Sequence, residues 1–193
     1  MDESVLQALR KWPDVPAAHG WLALDESGRW LLKGEPITHH GLIGFINRNY
    51  ACDERGQWFF QNGPQRAYVR LEHTPWVLHV DGRGRLRTHT GTSIDALTGV
   101  WLDDDGNLIL DTDNGPGLVD HGSLAAVAEW LTDSRGRALS PEAVEDGLEQ
   151  LTAGRPADLV LRYGDRLHAL AFVPRAQAPR VLRFVRDPGA PAE

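Results

Sequence analysis

Hydrophobic and polar positions alternate along this chain in short blocks separated by turns, and four of the turns share one frame. The segments LDESGRWLL from Leu24, CDERGQWFF from Cys52, VDGRGRLRT from Val80 and LDDDGNLIL from Leu102 each place an aspartate three residues before a glycine and an apolar residue two after it. An Asp at the start of a turn accepts hydrogen bonds from backbone N–H groups just ahead of it, and a Gly at the end supplies the positive φ of a bulged hairpin. The flanks agree. Trp21, Leu22, Ala23 and Leu24 precede the first turn and Trp30, Leu31 and Leu32 follow it, while Arg85, Leu86, Arg87 and Thr88 alternate as a half-solvated strand does. Each segment is predicted to be a β-hairpin. The acid-rich LDDDGN is not a calcium loop, because that loop needs alternating acids and a Glu six residues after the Gly, where this chain has Thr112.

Helical periodicity fills the gaps between hairpins. MDESVLQALRKW reads as a short amphipathic helix. After Pro36, Thr38 is the expected N-cap of a helix whose apolar face is Leu42, Phe45, Ile46 and Tyr50, with Asn49 closing its last turn in the left-handed conformation and Arg48 exposed. Past TDNGPG, Asp120 or Ser123 can cap a helix carrying Leu124, Val127, Ala128 and Leu131. Ser140 and Pro141 open another, with Glu142 near its positive end. DLVLRYGDRLHALAFV reads as two strands about the Tyr163 to Arg166 turn, VLRFVR as a last strand, and DPGAPAE as a tail. The expected architecture is α+β: repeated antiparallel β-hairpins with interposed helices in two small lobes. Residues 1–20 form an N-terminal helix and linker, 21–100 a first hairpin-helix-hairpin lobe, 101–187 a second α+β lobe and 188–193 a tail. Trp30, Trp58 and Trp76 are expected in the core of the first lobe or along its edge.

Composition narrows the function classes. With 41% hydrophobic and 24% charged residues in 193, the chain can build a core without disulfides or metal. A net charge of -7 with no basic block disfavours nucleic acid and anionic membranes as non-specific partners, although arginines gather between Arg66 and Arg87. The single cysteine, Cys52, fits a reducing, cytoplasmic setting. The N-terminus is acidic, unlike a signal peptide, and no apolar run reaches the roughly 18 residues that span a bilayer.

Nucleophile-elbow, P-loop, zinc-protease and dinucleotide-binding motifs are all missing from the sequence, so no cofactor or metal is expected. His39 and His40 are adjacent and point apart, and His73, His79 and His89 are scattered in a β region. The stretch FINRNYACDERGQWFFQNGPQR holds the most suggestive chemistry. Its Asn62-Gly63 pair, followed by Pro64, makes a hairpin turn. In AYVRLE, alternation sets Ala67, Val69 and Leu71 on one face and Arg66, Tyr68 and Arg70 on the other. Arginines grip carboxylates or phosphates bidentately and tyrosine adds a hydroxyl. Arg48, Gln61, Gln65, Arg66, Tyr68 and Arg70 are therefore the candidate ligand set. The NRNY and QNGPQR segments are expected to approach each other, with Arg66 donating to a helix carbonyl or to a bound anion.

The stretch from Leu24 to Val80, with its GRW, GEPI, LIGFINR, DERGQWFF and HTPWVL, resembles the N-terminal part of the bacterial family known as domain of unknown function 1285. The resemblance implies an α+β fold of repeated small units and a signalling or binding role, and it carries no catalytic residues across. Where that family tends to show Thr-Pro-x-Glu-Lys, this chain has Asn62, Gly63, Pro64, Gln65 and Arg66. The functional expectation is a binding or regulatory module recognising a small anionic ligand or a protein. A small hydrolase using His73 or His89 as base is the alternative in a second class, and a homodimer joined through exposed strand edges is the third.

Overall fold

The computed structural model describes residues 1–189. It is an α+β structure whose contacts divide into two compact units: Met1–Pro75 together with the chain from Arg183, and Trp76–Leu182. The sequence placed a division near residue 100. The strands just after Pro75 instead pair with strands beyond residue 100, which carries the segment from Trp76 into the second unit.

The first unit comprises α1 (Glu3–Lys11), β1 (Ala18–Leu24), β2 (Trp30–Leu32), β3 (Glu35–Pro36), α2 (His40–Arg48), β4 (Tyr50–Cys52), β5 (Trp58–Asn62) and β6 (Gln65–Leu71). Its sheet runs β3-β2-β1-β6-β5-β4. Neighbouring hairpin strands are antiparallel, whereas β1 joins β6 in parallel, with Leu22 beside Val69 and Leu24 beside Leu71. Strand alternation puts Leu22, Leu24, Trp30, Tyr50, Trp58, Phe60, Val69 and Leu71 on one face, all buried. Helix α2 covers this face through buried Ile46 and through Phe45, whose ring meets Phe60 edge-on at 5.4 Å. The Tyr50 ring lies 5.0 Å from both Trp30 and Trp58, and the Trp30 indole donates to Asn47 Oδ1 at 2.7 Å. Each such large apolar side chain contributes about 1.5–3 kcal/mol by leaving water.

All four Asp-x-x-Gly segments are turns, with φ of 78° at Gly28, 76° at Gly56, 74° at Gly84 and 79° at Gly106. A fifth, Asp133 to Gly136, has the same form with φ 74°. In each, Asp Oδ1 accepts from the backbone N–H two and four residues on, as with Ser27 at 2.9 Å and Arg29 at 2.8 Å for Asp25. The Gly N–H donates back to the Asp carbonyl, at 3.1 Å for Gly28. A side chain and a backbone requirement thus fix each turn locally.

Several local expectations are corrected. Helix α2 begins one residue later than expected, and His39 Nδ1 rather than Thr38 caps it by accepting from Leu42 N–H at 3.1 Å. Asn49 has φ -118° and is not left-handed. It closes the helix with its side chain, donating to Phe45 O at 2.9 Å and accepting from Asp2 N–H at 2.7 Å. Tyr50 belongs to β4 rather than to the helix. The turn after β5 centres on Gly63 and Pro64, because Asn62 pairs with Gln65.

The second unit holds β7 (Trp76–Val80), β8 (Leu86–Thr88), β9 (Leu97–Leu102), β10 (Leu108–Thr112), β11 (Gly115–Val119), α3 (Leu124–Ala128), β12 (Leu131–Thr132), α4 (Pro141–Thr152), β13 (Val160–Tyr163), β14 (Arg166–Phe172) and α5 (Ala178–Val181). Its sheet runs β12-β13-β14-β9-β10-β11-β7-β8, antiparallel except for β7–β11 and β9–β14. Leu78, Ile109, Leu110, Val127 and Leu161 lie at its centre. Trp76 is buried here and not in the first unit, its indole donating to Asn114 O at 2.7 Å. Ser123 occupies the N-cap position of α3, but its hydroxyl accepts from Val80 N–H at 2.9 Å. Leu131 starts β12 instead of extending α3. Ser140 caps α4 as expected, accepting from Ala143 N–H at 3.3 Å.

VLRFVR is not a strand. Pro179 sits in the first turn of α5, which takes in Val181, and Arg183 then turns left-handed at φ 58°. Val185 makes an isolated bridge to Gln57, and Leu71 N–H donates to Arg186 O at 2.8 Å. Of the expected tail, Pro188 is held by the His19 ring at 3.1 Å, and residues 190–193 lie outside the described part.

Candidate functional site

On the face of the first sheet opposite α2, register aligns Phe59 with Tyr68 and Gln61 with Arg66. Alternation along β6 turns Arg66, Tyr68 and Arg70 to this face, as the sequence indicated. An open cavity of about 570 Å³ is lined there by Cys52, Asp53, Glu54, Arg55, Phe59, Arg66 and Tyr68. The Arg66 guanidinium carbon lies over the Phe59 ring, 4.4 Å from its centre. Such stacking holds an arginine while leaving its in-plane N–H donors available. Among the described residues neither Arg55 nor Arg66 is ion-paired with a carboxylate.

The opposing wall is the Asp53 turn. Asp53 Oδ1 is occupied by the N–H groups of Arg55 at 3.0 Å and Gln57 at 2.9 Å, and Oδ2 accepts from the Tyr68 hydroxyl at 3.2 Å. The Tyr68 ring is stacked with His19 at 4.7 Å and meets the edge of Phe59 at 6.0 Å. The Asp53 carboxylate is therefore already engaged by its own turn and by Tyr68, and Glu54 adds a second carboxylate to the lining. Cys52 is a free thiol on the rim, its Sγ 3.3 Å from Asp53 O, and burial together with the Asp53 charge pushes its pKa up, so it is a poor nucleophile at neutral pH.

The other candidate residues lie elsewhere. Arg48 is on α2, bound to the Asp2 carboxylate at 3.1 Å and to Gly44 O at 2.9 Å, and its guanidinium holds the Asp2 carboxyl below the usual range. Gln61 is fully buried: Nε2 donates to Gly63 O at 2.9 Å and its N–H to Asn49 O at 2.9 Å, while Oε1 has no partner among the described residues. The NRNY and QNGPQR segments do meet, through Asn49 and Gln61 and not through Arg66. Gln65 Nε2 donates to Pro16 O at 3.0 Å. Arg70 lines a separate concavity with Trp21 and Lys33. His19, Arg55 and Phe59 were missed. Phe59 follows from the period-two alternation of WFFQN, but His19 reaches Tyr68 only through the parallel β1–β6 joint, for which the sequence holds no local signal.

The histidines proposed as bases are dispersed. His73 is buried in the first unit, and in the second His89 Nδ1 accepts from Val77 N–H at 3.3 Å. A smaller cavity in the second unit, about 290 Å³, is lined by Tyr163 and His168 with Asp95, Asp165 and Arg166, and burial lowers the His168 pKa. Among the described residues no three His, Cys, Asp or Glu side chains cluster as a metal site would require. No helix is long and apolar enough to cross a membrane.

The arrangement of repeated hairpins and short helices defines a fold class already seen in a crystal structure. A DUF1285 family protein from Silicibacter pomeroyi DSS-3 is similar with a TM-score of 0.55 at 15% identity, over 90% of this chain and 97% of that one. A DUF1285 family protein from Shewanella baltica OS155 matches at a TM-score of 0.39 and 17% identity, over 52% of this chain and 84% of that one. The fold shared with the first extends the resemblance seen in residues 24–80 to most of the chain. The chain belongs to the family DUF2944, described as "Protein of unknown function (DUF2946)", whose profile matches residues 1–189. No curated protein matches it.

Proposed function

We propose that this chain is a binding module, regulatory rather than catalytic, that takes a small carboxylate or phosphate in the Arg66 cavity of its first unit. The observation that supports it is the Arg66 guanidinium, stacked on Phe59 without a carboxylate partner and facing the same cavity as Arg55 and the Tyr68 hydroxyl. Arg66 is solvent-exposed, and among the described residues no acid or carbonyl receives its donors, so they are open to a ligand. The carboxyl side chain of a protein partner offers the same chemistry to this site. The lone thiol of Cys52 suits a reducing cytoplasmic setting.

Calorimetric titration of the full chain with inorganic phosphate and with succinate tests this. Saturable binding of at least one anion is expected, weakened tenfold or more in Arg66→Gln with an unchanged Tm. Because Cys52 lines the cavity, its alkylation by iodoacetamide should slow when the anion is bound. No binding of either anion, or an Arg66→Gln variant that binds as the parent does, would overturn the proposal.

A further inference from the structure

We infer that Trp21, Lys33 and Arg70 build a second subsite on the same face of the first sheet, one that takes a flat anion, an aryl phosphate or aryl carboxylate. Three irregularities meet at this place. The β1–β6 register shifts between Ala18 and Leu22, and Gly20 within that interval has φ 73°. A bulge of this kind re-aims the side chain beside it. That side chain is Trp21, which is 54% exposed although the strand continues into buried Leu22 and Ala23.

The third irregularity is Lys33. With Gly34 it forms the two-residue loop between β2 and β3, and both have positive φ, 53° and 88°. Asn, Asp or Gly is the ordinary occupant of the first position in such a turn, and a lysine there is conformationally unfavourable. Its N–H donates to Trp21 O at 2.7 Å and its ammonium lies 4.0 Å from the Trp21 ring centre. Across β1 from this turn, Ala23 pairs with Arg70. Arg70 is exposed and has no ion partner among the described residues.

Together these side chains line an open concavity of about 430 Å³ with Gly20, Leu22, Ala23 and Gly34. Its wall holds two cations and no carboxylate, on a chain whose net charge is -7. Two cations without an acid between them attract an anion, through charge-assisted hydrogen bonds. An exposed indole favours a flat apolar body, so a ligand with a ring and a charge satisfies both. The subsite shares strand β6 with the Arg66 cavity but no lining residue, and it stands whether or not that cavity binds anything.

The test is an NMR titration of the full chain with phenyl phosphate, benzoate and inorganic phosphate, following the Trp21 indole N–H signal, assigned with Trp21→Phe. An aryl anion should move that signal and bind at least tenfold more tightly than inorganic phosphate. Phenyl phosphate alone doing so identifies phosphate as the favoured group, and benzoate alone identifies carboxylate. Lys33→Gly and Arg70→Gln should each weaken binding, read at the Trp21 signal, tenfold or more. Lys33→Gly also relieves the left-handed backbone, so its Tm should equal or exceed the parent's while binding is lost. The inference is overturned if neither aryl anion moves the Trp21 signal, or if Lys33→Gly binds as the parent does.

Discussion

Tyr68 donates its hydroxyl to Asp53 Oδ2 at 3.2 Å across 15 residues of sequence, and this contact sets the Asp53 turn apart from the other four. There, Oδ2 accepts from the side chain four residues on: Arg29, Arg85, Asn107 and Arg137. At that place after Asp53 stands Gln57, which bridges to Val185. The turn is thereby tied to β6 and to the cavity instead of closing on itself. Tyr68→Phe should destabilise the chain by about 0.5–1.5 kcal/mol in urea unfolding, the ordinary worth of one such bond. A variant as stable as the parent would mean that the hydroxyl exchanges this partner for water at no cost.

Two turn glycines with nearly the same φ should respond very differently to alanine. A Cβ at Gly106, φ 79°, meets nothing within 4 Å, so Gly106→Ala should cost about 1 kcal/mol for the left-handed backbone alone. A Cβ at Gly56 would stand 2.6 Å from Arg183 O, a backbone atom that cannot swing aside. Gly56→Ala should cost a further ~1–3 kcal/mol. Denaturant midpoints of the two variants decide it, and equal losses would contradict the close approach of the Arg183 carbonyl.

Acid should weaken the second unit through its turn aspartates. The Arg85 backbone N–H, the Arg87 side chain and further donors hold the Asp81 carboxyl far below the usual carboxylate range, and the Arg137 backbone N–H leads the same effect at Asp133. A carboxylate depressed in the folded state stabilises it fully above the unfolded value of about 3.9 and loses that contribution as pH falls toward the folded value. Asp81→Asn and Asp133→Asn should therefore lower stability at pH 7 and flatten its fall below pH ~4. Thermal melts from pH 7 to 2 would show it, and parallel curves for parent and variants would count against it.

Iodide should reach few of the seven tryptophans. Trp30, Trp58 and Trp76 are 2%, 6% and 8% exposed, while Trp12 and Trp21 are 51% and 54% exposed. The double variant Trp12→Phe, Trp21→Phe should lose the greater part of the quenchable emission, and Trp30→Phe should leave the quenchable fraction unchanged. Quenching that survives the double variant would place the accessible indoles elsewhere.

What could be read from the sequence is what is decided within a few residues. Asp25, Asp53, Asp81 and Asp103 organise N–H groups two and four positions ahead, so their turns are visible without any tertiary knowledge. Asp133 to Gly136 carries the same frame but is flanked by a two-residue strand and the isolated bridge of Thr132 to Ala138, too little apolar pattern to signal a hairpin. The apolar alternation of VLRFVR looked like a strand, yet Pro179 starts a helical turn and Arg183 reverses the chain toward Gly56, which only the folded partner explains. Arg66, Tyr68 and Arg70 share a face because strand periodicity requires it. Their division between two cavities depends on β1 lying parallel to β6 from residues far away in sequence, and the complete burial of Gln61 has no signal in its own neighbourhood of the chain.

The return of the chain from Arg183 to the first sheet has a consequence during synthesis. Gln57, Leu71 and Gly56 find their partners Val185, Arg186 and Arg183 only after the whole of the second unit has been translated. Most of the first unit's sheet is therefore synthesised more than a hundred residues before the segment that closes it. The second unit, continuous in sequence from Trp76 to Leu182, has every residue it needs earlier. The half of the protein that starts first is thus the half that finishes last, and a stop codon near residue 182 would leave the Gly56 turn and the Leu71 edge uncovered while sparing the unit encoded just upstream.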